Sequence, residues 1–525
     1  MRRLGSVFAG SVRLVAVFGA VAMVSLQGWA ELTQVEIGGE LRIRGRYYIN
    51  TFAPRGERVP AAALGWRPIG PRLATSIFKW DSDGPDWTRY EHALLLNVKA
   101  DFSDNVSAFV EFYDFSIWGE DTRSNYLTGA DTRGDSTDDV MLNQGYVEIR
   151  QLFDAPLKLR IGRQAIKFGK GFLVSDMLTP SQYSSHDAVR LTWTPADDVS
   201  VDFFASKLAD RYQTEQDGDT DFYGVYGTYT GFAPLTMSAY WYFLRDASHV
   251  ENTNLSQIGE WFEDLRGMDD YGATRLHTLG THLFGKSGGF DYSLELAYQF
   301  GDAEHLGATF VPVGGLYGDQ DADYGNWGAE LNVGYTFKDA KWQPRPYVMG
   351  VYFQGHDERD ISFGEWLNPF YRPDASTSFN RLFSDLNYMP TINDNGWLSN
   401  VAQIQLGLEL QATEKVRLHA HVAKDWAVAA FDPPVSWKFG DTYVPVAPAL
   451  SFWTEDGSND LGWEVAAWIR YQYSADLWFL FYGNYLFAGD GLTRGAFSQF
   501  NGTEITAGTD DTNAGYVFWM AVLKF

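Results

Sequence analysis

Apolar and polar side chains alternate along this chain with a period of two. Leu41, Ile43, Gly45, Tyr47 and Ile49 interleave with Arg42, Arg44, Arg46 and Tyr48. Ala402, Ile404, Leu406, Leu408 and Leu410 interleave with Gln403, Gln405, Gly407, Glu409 and Gln411. Val416, Leu418, Ala420 and Val422 stand between Arg417, His419 and His421, and Trp463 to Tyr471 repeats the scheme with Glu464 and Arg470 on the other face. Segments of about ten residues with one apolar and one polar face have the length and pattern of tilted membrane-spanning β-strands.

The connections sort by length. Short turns stand at 103–105, 154–156, 196–198, 231–234, 286–289, 339–341, 413–415 and 474–476, and are rich in Gly, Asp, Asn and Pro. Long polar connections occupy 51–87, 118–138, 169–186, 208–221, 246–273, 302–325, 356–398, 427–461 and 488–513. Eight turns and nine loops in strict alternation predict 18 strands. The expected fold class is all-β: a transmembrane up-and-down antiparallel β-barrel with short periplasmic turns and long extracellular loops. The last segment places Val517, Trp519, Ala521, Leu523 and Phe525 on one face and ends on an aromatic residue, which resembles the sorting signal of bacterial outer-membrane barrels.

The amino terminus supplies a route. Arg2 and Arg3 precede the apolar run Leu14 to Leu26, and Gly28-Trp29-Ala30 puts small residues before a cut at Glu31. This is the layout of a cleavable signal peptide, and the apolar run is too short to span a bilayer. Residues 1–30 are therefore expected to be a leader and 31–525 a single barrel in the bacterial outer membrane.

Composition narrows the function. The 525 residues contain no cysteine, which removes disulfides, thiolate metal sites and a cysteine nucleophile. The formal charge of −26 speaks against a nucleic-acid partner. That charge is localised: the nine long loops hold 43 acidic and 15 basic residues, so the rest of the mature chain is near balance. On the polar strand faces lie Arg42, Arg44, Arg46, Arg89, Arg150, Arg160, Arg190, Arg417 and Arg470. A cation on the lipid face near the midplane costs roughly 2–4 kcal/mol, so these arginines are expected to point into the lumen. There they either neutralise carboxylates such as Glu91, Glu148 and Glu464 in salt-bridge ladders, or form a region selective for anions.

Several segments resemble the alginate export porin family of Gram-negative outer membranes. They are Gln144 to Arg150, Leu159-Arg160-Ile161-Gly162-Arg163-Gln164, Phe168-Gly169, Asp187 to Trp193, Phe379-Asn380-Arg381-Leu382-Phe383, Leu461 to Glu464 and Leu486 to Asp490. The resemblance implies an 18-stranded barrel with an electropositive pore, in a family whose founding members export an anionic uronic-acid polysaccharide. It makes Arg160, Arg163 and Arg190 candidates for the lumen. Strict alternation would place Arg163 on the lipid side, and a bulge near Gly162 is expected to re-aim it inward.

The function expected from these observations is passive passage of hydrophilic, anionic solutes or polysaccharide through a monomeric porin. The alternatives are a nutrient-uptake porin without polysaccharide traffic, and a structural barrel whose Trp327, Trp366, Trp397 and Trp453 pack over the mouth or onto a partner. No catalytic motif is present, and no cofactor or metal is called for. His419 and His421 are expected to be lumenal polar packing rather than metal ligands. Asp217, Asp219 and Asp221, and Asp319, Asp321 and Asp323, offer carboxylates to a loop-bound Ca²⁺ but lack the rest of a calcium loop. The other expected partners are outer-membrane lipid and lipopolysaccharide.

Overall fold

The computed structural model describes residues 32–49, 87–102, 105–118, 140–179, 182–210, 218–247, 273–302, 305–308, 316–319, 323–355, 362–364, 377–391, 399–429, 435–439, 442–447, 458–491 and 513–525. The expected leader lies outside these residues, as do Trp366, Trp397 and Trp453.

Eighteen strands form one antiparallel sheet. They are β1 (Gln34–Ile49), β2 (Trp87–Asp101), β3 (Val106–Ile117), β4 (Met141–Ile149), β5 (Leu157–Gln164), β6 (His186–Ala196), β7 (Val199–Ala209), β8 (Thr220–Phe232) and β9 (Leu235–Asp246). The second half comprises β10 (Thr274–Ser287), β11 (Phe290–Asp302), β12 (Asp323–Tyr335), β13 (Arg345–Phe353), β14 (Val401–Thr413), β15 (Val416–Ala427), β16 (Asp460–Gln472), β17 (Leu477–Ala488) and β18 (Ala514–Lys524). Each strand pairs with its sequence neighbour, and β18 pairs with β1 from Glu40↔Lys524 to Ile49↔Gly515, which closes the barrel. All eight short turns fall between an even strand and the next odd one. Three short ribbons, at 177–183, 305–319 and 435–447, sit in long connections and were not anticipated by the alternation.

The seam depends on the end of the chain. Gly39 N donates to Phe525 O at 2.8 Å, and Phe525 N donates back to Gly39 O at 3.1 Å. A Cβ on Gly39 would stand 2.5 Å from Leu95 O and 2.7 Å from the Phe525 ring, so only glycine allows this approach.

The two faces of the wall have opposite chemistry. On β14, Ile404, Leu406 and Leu408 are 40–54% exposed while Gln403 and Gln405 are buried. The same split places Val147, Ile161, Val189, Phe203, Leu279, Val465, Phe481 and Val517 outward. So much contiguous exposed apolar surface is stable only against hydrocarbon. Aromatic residues bound this band. On β11, Phe290 marks the turn end and Phe300 the loop end. Ten residues at ~3.3 Å, tilted by ~40°, give an apolar height of ~25 Å, a bilayer's worth. Trp327 belongs to the upper girdle: it points outward, half exposed, and stacks on Tyr298 at 4.6 Å rather than packing over the mouth.

Candidate functional site: the barrel lumen

The inward parity of β1 to β6 carries one continuous arginine-rich wall. Arg44 and Glu91 are cross-strand partners, and Arg44 Nε donates to Glu91 Oε1 at 2.6 Å. Arg46 Nη2 reaches Glu91 Oε2 at 2.6 Å, and Arg89 Nε stands 3.0 Å from the same oxygen. One buried carboxylate thus gathers three guanidinium groups. Below them, Arg42 donates to Glu40 at 2.5 Å, and Tyr183 OH donates to the same oxygen at 2.7 Å. Arg160 pairs with Glu148 at 2.6 Å and lies 4.1 Å over the Tyr146 ring. Arg150 bonds Asp101 at 3.1 Å, and Arg190 bonds Asp202 at 2.8 Å while covering Phe168.

Arg417 and Arg470 are different. They are direct cross-strand partners on β15 and β16, on the inward face at the turn end. Arg417 Nε donates to Gln411 Oε1 at 2.7 Å, and Arg470 lies 4.4 Å over the Trp478 ring. Neither forms an ion pair among the described residues.

Arg163 is not in the lumen. β5 pairs with β4 and β6 in unbroken register through Gly162. Gly162 does adopt φ +126°, but its left-handed backbone serves a close approach, since a Cβ there would lie 2.3 Å from Gly145 O. No residue is inserted, so the parity is kept and Arg163 faces outward, bonded twice to Asp187 at 2.8 Å. The expected bulge is absent.

The opposite wall is acidic. Glu295 and Glu330 face inward from β11 and β12, and Asp425 and Glu464 from β15 and β16, all buried. Tyr240 OH donates to Glu295 at 3.2 Å, and Gln403 Nε2 donates to Asp425 at 2.8 Å. The His419 and His421 rings lie 5.1 Å apart in this region, tilted by 58°, with His419 Nε2 2.6 Å from Tyr347 OH. Asp219 and Asp221 are both engaged by Lys207, at 2.5 and 2.7 Å.

Two segments of the long connections fold into the barrel, a feature the polar loop composition concealed. One is 165–176, after β5; the other is 377–391, before β14. They join through Phe383 N to Leu173 O at 2.8 Å and Ser175 N to Phe383 O at 3.1 Å. Lys167 bonds Asp385 at 2.9 Å and Asp176 at 3.3 Å; although its partial burial opposes the charge, these carboxylates hold its ammonium above the ordinary lysine range. The second segment spans the lumen. Asn380 exchanges hydrogen bonds with Gln299 at 2.6 and 2.7 Å, Tyr388 OH donates to Glu330 at 2.5 Å, and Thr391 donates to Glu464 at 2.7 Å. Lys170 also pairs with Glu330. Arg381 organises the turn: it is buried between Phe353 and Tyr388 and bonds Ser384 at 2.9 Å. Burial lowers its guanidinium to about 10, still charged at neutral pH. Burial, with the Glu330 carboxylate beside it, pushes the Tyr388 phenol well up, so it stays a donor. The sequence signal is a set of large apolar residues inside a polar connection: the run Phe172-Leu173-Val174 in the first segment, and Phe379, Leu382 and Phe383 flanking Asn380 and Arg381 in the second.

A closed 18-stranded barrel with an apolar belt, a charged lumen and loops folded inward defines a channel-forming outer-membrane protein. Residues 82–494 match the family model described as alginate export, and the chain belongs to that family. Among solved structures it is similar to OccK8 (OprE) of Pseudomonas aeruginosa, with TM-score 0.48 and 11% identity over 93% of this chain and 98% of that one. It is also similar to OccK5 (OpdH), with TM-score 0.45 and 11% identity over 93% and 98%, and to OccD3 (OpdP), with TM-score 0.45 and 11% identity over 95% and 94%, both of Pseudomonas aeruginosa. No curated protein matches the chain.

Proposed function

We propose that this porin passes small hydrophilic anions passively, with the arginine wall as a series of weak, exchangeable sites. The observation that carries this reading is the Arg417–Arg470 pair. Like charges directly opposite on neighbouring strands repel, and here no carboxylate relieves them among the described residues. An anion at the turn-end mouth does. Beyond the seam, Arg150, 41% exposed, and Arg160 and Arg190, 20% exposed each, continue the route, and the carboxylates paired with them keep each site shallow enough to release its ion. Passage needs no nucleophile or base, and the barrel acts as a channel rather than as an enzyme. A leader at residues 1–30 delivers it for export.

The filled lumen favours single sugars and short acidic oligosaccharides over a long polymer. Liposome swelling tests this. Reconstituted barrel should admit glucuronate faster than glucose, and Arg417→Ser with Arg470→Ser should remove most of that preference while leaving glucose entry unchanged. Equal rates in the wild type contradict the proposal. Faster entry of a long uronate polymer than of its monomer would favour polysaccharide traffic.

A further inference from the structure

A row of charged side chains crosses the outward face of β5 to β10, where lipid is expected. Arg163, Asp187, Lys207, Asp221, Arg245 and Arg275 are successive cross-strand partners, one on each strand. Their parity is outward, because Ile161, Val189, Phe203, Tyr223, Trp241 and Leu279 on the same strand faces are exposed apolar residues. Arg163 bonds Asp187 at 2.8 Å, Lys207 bonds Asp221 at 2.7 Å, Arg245 stands 3.8 Å from Asp221, and Arg275 lies 3.4 Å from Asp302 on β11. Elsewhere on the outward strand faces, the ion pairs among the described residues are isolated: His92–Asp114 and Lys424–Asp460.

The level of the row is fixed by aromatic rings. Two residues toward the membrane from Asp221, Arg245, Arg275 and Asp302 lie Tyr223, Phe243, His277 and Phe300. Their rings stack in series, Tyr223–Phe243 at 6.1 Å, Phe243–His277 at 4.5 Å and His277–Phe300 at 5.1 Å. Such a girdle sits at the membrane–water boundary. The row is just beyond it on the long-loop side, at the depth of the outer-leaflet headgroups. Six strands at ~4.8 Å spacing make it ~24 Å wide, enough for a disaccharide headgroup carrying two phosphates.

We propose that this row is a docking surface for the phosphorylated glycolipid of the outer leaflet, with one phosphate seated between Arg245 and Arg275. Those two cations stand directly opposite each other on β9 and β10, so a phosphate seated between them accepts from both guanidinium groups. Guanidinium forks match phosphate oxygens in pairs. Arg275 is 58% exposed, Lys207 44%, Arg163 44% and Arg245 26%, and Asp187, Asp221 and Asp302 hold their charged groups in line along the row.

Native mass spectrometry of the folded barrel with diphosphorylated lipid A, and with the same lipid after phosphatase treatment, tests the site. Wild-type barrel should retain the diphosphorylated form in preference, and Arg245→Gln with Arg275→Gln should weaken that retention by ~10-fold or more. Lys424→Gln, on an isolated outward pair, should retain as the wild type does. Arg275→Gln alone carries the comparison should the double variant fail to assemble. Equal retention of the two lipids by the wild type, or wild-type retention by every Arg275 variant, would overturn the proposal.

Discussion

At Glu91 a single carboxylate with no solvent exposure holds Arg44, Arg46 and Arg89, whereas at Asp187 a half-exposed carboxylate holds Arg163 on the outer wall. Both are arginine–carboxylate contacts of similar length, so environment decides their worth. Removing the acid from a buried group leaves cations without compensation, at a cost of ~3–5 kcal/mol, while an exposed pair contributes ~0–1 kcal/mol. Glu91→Gln is therefore expected to destabilise the barrel by ~3–5 kcal/mol and Arg163→Gln by less than ~1 kcal/mol in urea unfolding followed by heat-modifiable gel mobility. Comparable shifts for the two would contradict this ranking. That the arginines of β1 lie on one face was legible from their spacing. Their partners were not, because Arg44 and Glu91 are 47 residues apart and meet only through the register of β1 on β2. Arg163 shows the opposite lesson: simple alternation placed it outward correctly, and the bulge invoked to bring it inward is absent, Gly162 serving a close approach to Gly145 instead.

The strands and their turns were readable because a membrane wall forces every second side chain outward, and the hairpin chemistry recurs at each even-to-odd junction. The inward segments were not readable. Their polar neighbours mask them, and what fixes them is tertiary: Gln299, Glu330 and Glu464 on three strands hold Asn380, Tyr388 and Thr391. The Lys167–Asp385 bond links the two segments, and while the carboxylates are ionised the raised lysine keeps this contribution from neutral pH up to the ordinary 10.5 and loses it as pH climbs through the higher folded value. Replacing 379–389 by a short Gly-Ser linker should raise single-channel conductance by ~2-fold or more, since pore radius then follows the wall alone. Unchanged conductance would mean that the segment does not lie in the conducting path.

Over the whole molecule, charge is layered. The loops carry a net −28 against −26 for the whole chain, a mixed row of ion pairs rings part of the outer wall, and the lumen divides into an arginine-rich arc and an acidic arc joined by the inward segments. An overall charge of the sign that repels anions is thus a property of the loops, and permeating ions meet a different surface inside. The acidic arc is covered in part by Lys170, Tyr388 and Thr391, whereas Arg417 and Arg470 stand open at the turn-end mouth. The balance of these two arcs is what a permeating ion senses, and its sign is measurable. In a planar bilayer with a tenfold KCl gradient, where an ideally selective pore gives ~59 mV, the reversal potential should carry the sign of chloride preference and move toward zero in the Arg417→Ser, Arg470→Ser variant; a wild-type potential of the sign for potassium preference would contradict the account.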